Sequence, residues 1–235
     1  MVTFKDNFYF CQNVALFGVV VYWAHMTTID TLGKIIGSAA RVKLMRLFLF
    51  HPGHGFTRDE LIKKTKVTAA VLRVELGLLE KADFIEKKEA VRAIASKKGG
   101  ASRKKKMTVY SLLNSFPLLE PFRALLLESE LVTLPDLPVR FKTAGKIKLF
   151  VVSGIFMRDL DRSLDLLIVG DKLDTSGITK HIALLESEIG RELRYATFTT
   201  DEFMYRIKMY DKLLRDIFDY PHQKLINQIA ISELA

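Results

Sequence analysis

Six cations crowd into one short stretch: Lys97, Lys98, Arg103, Lys104, Lys105 and Lys106, with glycines at 99 and 100 between them. Side chains of this type at this density do one thing well, which is to neutralise phosphates. Six such contacts on a duplex give a log–log salt slope of about −5. Some thirty residues earlier stands Arg73, whose planar fork suits bidentate pairing with guanine. Around it lie Thr68, Ala69 and Ala70, small side chains that tolerate close approach to bases and, in the alanines, contact thymine methyls. Arg58 and Lys66 add cations just upstream. Other constellations are thinner. His51 and His54 flank Pro52-Gly53, and without a neighbouring cysteine or paired carboxylate they read as loop residues, not metal ligands. Tyr205, Tyr210 and Tyr220 read as packing aromatics.

Elements of defined type must hold these side chains. Residues 38–50 form a helix capped by Ser38 and stopped by His51-Pro52-Gly53. Thr57 with Glu60 three residues on is a capping box opening a second helix. Thr68 caps a third, in which Leu72, Leu76 and Leu79 make the buried stripe and Ala69, Ala70, Arg73 and Glu75 the solvent face. Residues 84–88 read as a strand, 96–106 as a basic hairpin tip and 107–113 as the returning strand. This order of three helices and a hairpin is a winged helix-turn-helix, whose second motif helix enters the major groove. Next come an apolar helix at 118–127, burying Leu118, Leu119, Phe122, Leu125 and Leu126, and a linker at 131–138 containing Pro135 and Pro138. Beyond it strands at 146–152, 164–169 and 193–198 alternate with helices at 175–189 and 200–218. The expected fold class is therefore α+β: residues 26–115 as the DNA-binding domain, 116–140 as apolar helix and linker, and 141–235 as a small α/β domain.

Charge follows the same division. The net charge is +9, but residues 26–115 hold 19 Lys and Arg against 8 Asp and Glu, whereas residues 116–235 hold 16 against 18. Segregation of this kind points to a polyanion-binding module joined to something else. Cys11 is the lone cysteine, so no internal disulfide or cysteine-rich zinc site exists, and a reducing, cytoplasmic setting is expected. Residues 8–23 are apolar but shorter than the roughly 20 residues that span a bilayer, and they lack a basic lead. Met26 followed by Thr27-Thr28-Ile29-Asp30 reads as a natural start, with residues 1–25 as a mis-assigned extension; the competing expectation is a membrane-attached regulator.

Two resemblances sharpen these readings. The stretch Leu61-Ile62-Lys63-Lys64-Thr65-Lys66-Val67-Thr68-Ala69-Ala70-Val71-Leu72-Arg73-Val74-Glu75-Leu76, continuing through Leu79-Glu80-Lys81-Ala82-Asp83-Phe84-Ile85, resembles ArsR-like winged helix-turn-helix regulators. That resemblance implies a homodimer on double-stranded DNA, with glycine as the usual residue where Asp83 stands. The cysteine and histidine pairs of metal-sensing members are missing, so no metal or other cofactor is implied. Residues 146–200 resemble the minimal nucleotidyltransferase core, which carries Gly-Ser after its first strand and Asp-x-Asp at its second, the carboxylates holding two Mg²⁺ ions. Here the corresponding positions are Ser153-Gly154, Ser163 and Asp165, and Arg194-Tyr195-Ala196-Thr197-Phe198 supplies no third carboxylate. Asp159 and Asp161 are the nearby acids that could compensate. The expectation is a degenerate, non-catalytic domain that scaffolds, dimerises or senses a nucleotide, with Asp165 ordering a loop. The alternative is an active nucleotidyltransferase directed to its target by a nucleic-acid-binding module, and it rests on Asp165.

Overall fold

The computed structural model describes residues 28–94, 103–128 and 131–229. The expectations placed on residues 1–25 and on Lys97 and Lys98 lie outside these. The chain is mixed α and β. Among the described residues no helix is long and apolar enough to cross a membrane.

Four helices open the chain: α1 (Thr28–Ile36), α2 (Ala39–Phe50), α3 (Arg58–Thr65) and α4 (Ala69–Lys81). Ser38 caps α2 through its hydroxyl, which accepts the Arg41 N–H at 3.2 Å. Helix α2 is buried nearly all round, through Val42, Leu44, Met45, Leu47, Phe48 and Leu49, which makes it the central helix of the first core. The capping box at α3 forms as expected: the Glu60 carboxylate accepts the Thr57 N–H at 2.7 Å, and Thr57 Oγ1 accepts the Glu60 N–H at 3.3 Å. Thr68 precedes α4, but its hydroxyl makes no capping bond. Leu72, Leu76 and Leu79 face the core. Glu75 does not belong to the solvent face expected of it: it is 6% exposed, and its carboxylate accepts from Arg41 Nε at 2.8 Å. The pair ties α2 to α4 and lets a carboxylate sit among leucines.

Strands β1 (Ile85–Ile94) and β2 (Arg103–Leu112) then pair antiparallel. Both are longer than periodicity implied. Arg103, Lys104, Lys105 and Lys106 are not loop residues but strand residues, opposite Ile94, Ala93, Arg92 and Val91. Phe56, between α2 and α3, exchanges two backbone hydrogen bonds of 2.8 Å with Tyr110, which docks the hairpin on the helices. At the turn into β1, Asp83 takes φ of +54°, a left-handed conformation that among non-glycine residues aspartate tolerates best along with asparagine.

The apolar helix expected at 118–127 is shorter and irregular. A single α-helical turn, α5 (Leu119–Arg123), widens into a π-helical turn at Ala124–Glu128. Leu126 is buried, but Leu118, which precedes α5, and Leu125, within the widened turn, are exposed and do not bury as expected. Phe84, Phe116 and Phe122 pack edge-on and tilted against one another, with ring centroids 5.3–6.3 Å apart. The stretch read as a linker is partly helical. A 3₁₀ turn at Leu134–Asp136 runs into α6 (Leu137–Arg140), each with a proline in its first turn, where the missing N–H costs nothing.

The second lobe is a four-stranded mixed sheet, built from β3 (Lys146–Val152), β4 (Leu166–Asp171), β5 (Tyr195–Phe198) and β6 (Gln223–Asn227) in the order β5-β4-β3-β6. β3 runs antiparallel to β4 and β6, and β5 parallel to β4. The remaining helices are α7 (Thr175–Ile189), α8 (Thr200–Lys208) and α9 (Lys212–Phe218). Alternate residues feed two cores. Phe150, Val152, Leu166 and Ile168 meet α6 and α7, while Leu149, Val151, Leu167 and Val169 meet α8 and α9. Burial on both faces is why these strands read as unbroken apolar runs. The single helix expected at 200–218 breaks into two at Met209–Asp211, where Tyr210 takes φ of +52°. Tyr205, within α8, Tyr210, at the break, and Tyr220 are all exposed, so none of them packs into a core as expected.

Candidate functional site

Helix α4 presents Thr68, Ala69, Ala70, Val71, Arg73, Val74 and Leu78 outward. Its opening N–H groups are not taken up by the Thr68 hydroxyl, so the first turn keeps donors suited to a phosphate oxygen. Arg73 is exposed and makes no hydrogen bond or ion pair among the described residues. Apart from Thr68 and Arg73, these outward side chains are apolar. Arg58 is held toward the hairpin: its Nε and Nη2 donate to the Tyr110 hydroxyl at 3.1 and 3.0 Å. In the hairpin, Lys106 and Lys87 are exposed, while Lys88 is paired with Glu86. Lys66 caps α3 in the left-handed conformation (φ +55°) and faces a cleft between the lobes, away from the hairpin set. The histidine pair is resolved as packing. The His51 and His54 rings lie 5.6 and 4.4 Å from the Phe56 ring, and His51 Nδ1 is 2.9 Å from the Leu47 carbonyl oxygen.

The second lobe gathers Ser153, Gly154 and Asp165 around one loop. Gly154 adopts φ of +53°, and a Cβ there would stand 2.3 Å from Asp165 Oδ1, so only glycine fits. Asp165, 2% exposed, accepts the Ile155 N–H at 3.0 Å on Oδ1 and the Arg194 N–H at 2.8 Å on Oδ2. The Arg194 guanidinium completes the ring, with Nη2 3.2 Å from Oδ1 and Nε 3.3 Å from Oδ2. Both oxygens are thus spoken for by amides and a cation. Ser153 donates to the Pro221 carbonyl at 3.3 Å. Ser163 does not join them: its N–H donates to Asp216 at 3.0 Å, and its hydroxyl foremost, with that N–H adding, holds the Asp216 carboxyl below its ordinary range. Asp159 pairs with Arg162 at 2.7 Å, and Arg162 also stacks 3.7 Å over the Tyr220 ring. Asp161 donates its N–H to Asp159. Asp159 is engaged by Arg162 and Asp165 by Arg194, and no hydrogen bond or ion pair among the described residues links either loop acid to Asp165. These residues do not fit a Mg²⁺ pair. Among the described residues no group of three or more His, Cys, Asp or Glu side chains is arranged to hold a metal ion.

Sequence reasoning missed the joint between the lobes. Arg46, 0% exposed, donates from Nε to the Leu126 carbonyl at 3.1 Å, and from Nη1 to the carbonyls of Leu131 at 3.2 Å and Glu188 at 3.0 Å. Burial pushes its pKa down to about 10, opposed by the nearby Glu188 charge. The one available signal was a single arginine in the otherwise apolar run Leu44-Met45-Arg46-Leu47-Phe48. Alongside, Arg140 pairs with Glu188 at 2.8 Å and Lys64 with Glu192 at 2.9 Å. Gly190, at φ +89°, lets α7 end against α2, where a Cβ would lie 2.7 Å from the Leu47 nitrogen. No protein-family model, curated protein or solved structure matches the chain.

Proposed function

We propose that this chain is a DNA-binding transcriptional regulator. Residues 26–115 act as a winged helix-turn-helix, and residues 141–235 as a nucleotidyltransferase-like lobe without catalytic activity that scaffolds, dimerises or senses a ligand. The observation that carries the reading is an outward-facing α4 beside a hairpin whose returning strand opens with four successive cations, Arg103–Lys106. The charge segregation supports it independently. Affinity comes from the hairpin and the helix N-terminus through phosphates. Specificity rests on Arg73, on the thymine-methyl contacts that Ala69, Ala70 and Val71 favour, and on the spacing of two half-sites under a homodimer.

Fluorescence anisotropy with a duplex pool, titrated across salt, tests this. The full chain is expected to bind with a steep negative salt slope, and changing Arg103, Lys104, Lys105 and Lys106 to alanine reduces that slope by about 4. Equal binding and slope in the variant would remove the hairpin from the interface. A monomer at micromolar concentration would remove the dimer. The Asp165–Arg194 pair supports this reading over the enzymatic alternative, and label transfer from a nucleoside triphosphate that vanishes in Asp165→Ala would establish that alternative.

A further inference from the structure

A cleft of about 390 Å³ lies between the lobes, lined by Leu47 and His51 of the α2 end, Lys63 and Lys66 of α3, and Glu186 and Arg191 of the α7 end. That volume lies within the range of small-molecule sites. Its charges are only partly balanced within the wall. On its walls Lys64 is paired with Glu192, and Glu60 is consumed by the Thr57 capping box. The Lys63, Lys66 and Arg191 side chains make no hydrogen bond or ion pair among the described residues, although the Lys66 charge acts on the Glu186 carboxyl. The lining sets four cations, Lys63, Lys64, Lys66 and Arg191, against three carboxylates, Glu60, Glu186 and Glu192, so the concavity keeps a net positive charge that an anion would neutralise. Arg191 brings the planar fork that suits phosphate, and the lysines bring point charges. Acceptors stand at the same walls: Glu186 uses Oε1 for the Leu193 N–H at 2.9 Å, leaving its second oxygen for a hydroxyl donor. Leu47 and Ala183 supply apolar wall.

We infer that this cleft binds a small phosphate monoester with a hydroxylated body, such as a sugar phosphate. The phosphate sits among Lys63, Lys66 and Arg191, and a ligand hydroxyl donates to Glu186. Bound there, the ligand bridges α3 to α7. Because Lys66 leads directly into Thr68 and α4, occupancy sets the attitude of α4 relative to the second lobe. That last consequence rests on the DNA-binding reading, whereas binding itself does not.

Titration calorimetry on the full chain without DNA separates the two. Ribose 5-phosphate is expected to bind, with ribose silent and inorganic phosphate weaker. Lys63→Ala with Arg191→Ala removes two exposed or half-exposed cations outside the cores and weakens the ester by about tenfold or more. Ester binding unchanged in that variant, no heat at millimolar ester, or inorganic phosphate binding as tightly as the ester would each overturn the assignment. Anisotropy with duplex is then repeated with the ester present. A shift in duplex affinity in the parent chain, lost in the variant, supports the coupling. Calorimetric binding with no duplex binding at all would sink the DNA reading and leave the ligand site standing.

Discussion

Asp165 shows how one carboxylate can serve order in place of chemistry. It gathers two backbone N–H groups and both edges of the Arg194 guanidinium, which leaves neither oxygen free for a metal. Replacing it with alanine strands those amides and leaves the arginine without its partner. Because the Arg194 side chain is itself 37% exposed and retains water, the cost is about 2–4 kcal/mol, less than for a fully buried pair. Urea unfolding of Asp165→Ala measures this, and a loss below about 1 kcal/mol would contradict the ordering role. The loop-ordering role was legible in the sequence, since Ser163 and the 194–198 stretch offer Asp165 no carboxylate partners. Arg194 as its partner was not, because that contact depends on β5 lying parallel beside β4 with Leu166 opposite Tyr195.

Among the elements, α7 was legible to the residue. Asp174 caps it, its hydrophobic spacing is regular, and Gly190 ends it in the left-handed conformation. Signals of that kind are local, as is the Thr57–Glu60 box. The breaks within 118–127 and 200–218 were not legible, because both segments keep helical periodicity across the irregularity. β6 was missed because it is a polar-ended edge strand that becomes a strand by pairing with β3. The end of α7 also carries a titration. Burial raises the Glu186 carboxyl above its ordinary range, with Glu192 adding to the shift and the Leu193 N–H, Lys64 and Lys66 opposing it. A carboxyl raised in the folded state holds its proton where the unfolded chain has lost it. Stability therefore falls as pH rises from the ordinary carboxylate range toward the raised value. Glu186→Gln keeps an acceptor for the Leu193 N–H and removes the titration. Thermal melts across that window are expected to show the parent losing stability relative to the variant as pH rises, and parallel curves would refute the assignment.

At the scale of the whole molecule, the two lobes are joined through the ends of helices. A helix leaves its last carbonyls unpaired, and those ends carry partial negative charge. Arg46 answers both needs, because its guanidinium reaches the Glu188 carbonyl in the last turn of α7 and the Leu126 carbonyl in the π-helical turn. Its hydrogen bonds go to carbonyls and not to a carboxylate, and the nearby Glu188 charge opposes the burial that lowers its pKa. The arrangement belongs to tertiary structure alone: its acceptors lie 80, 85 and 142 residues away in the chain. Arg46→Ala leaves three carbonyls without their donor and opens a cavity between the lobes, at a cost of about 3–5 kcal/mol. Arg46→Lys recovers only part of it, since one ammonium cannot reproduce the spread of a planar fork. Because these bonds are shared by both lobes and the segment between them, the loss falls on their coupling more than on either core. Calorimetric unfolding is expected to change from a single transition in the parent to two in Arg46→Ala, the lobes melting separately. Uniform destabilisation with one transition would show that the cores, through Gly190 and the Lys64–Glu192 and Arg140–Glu188 pairs, hold the lobes together without Arg46.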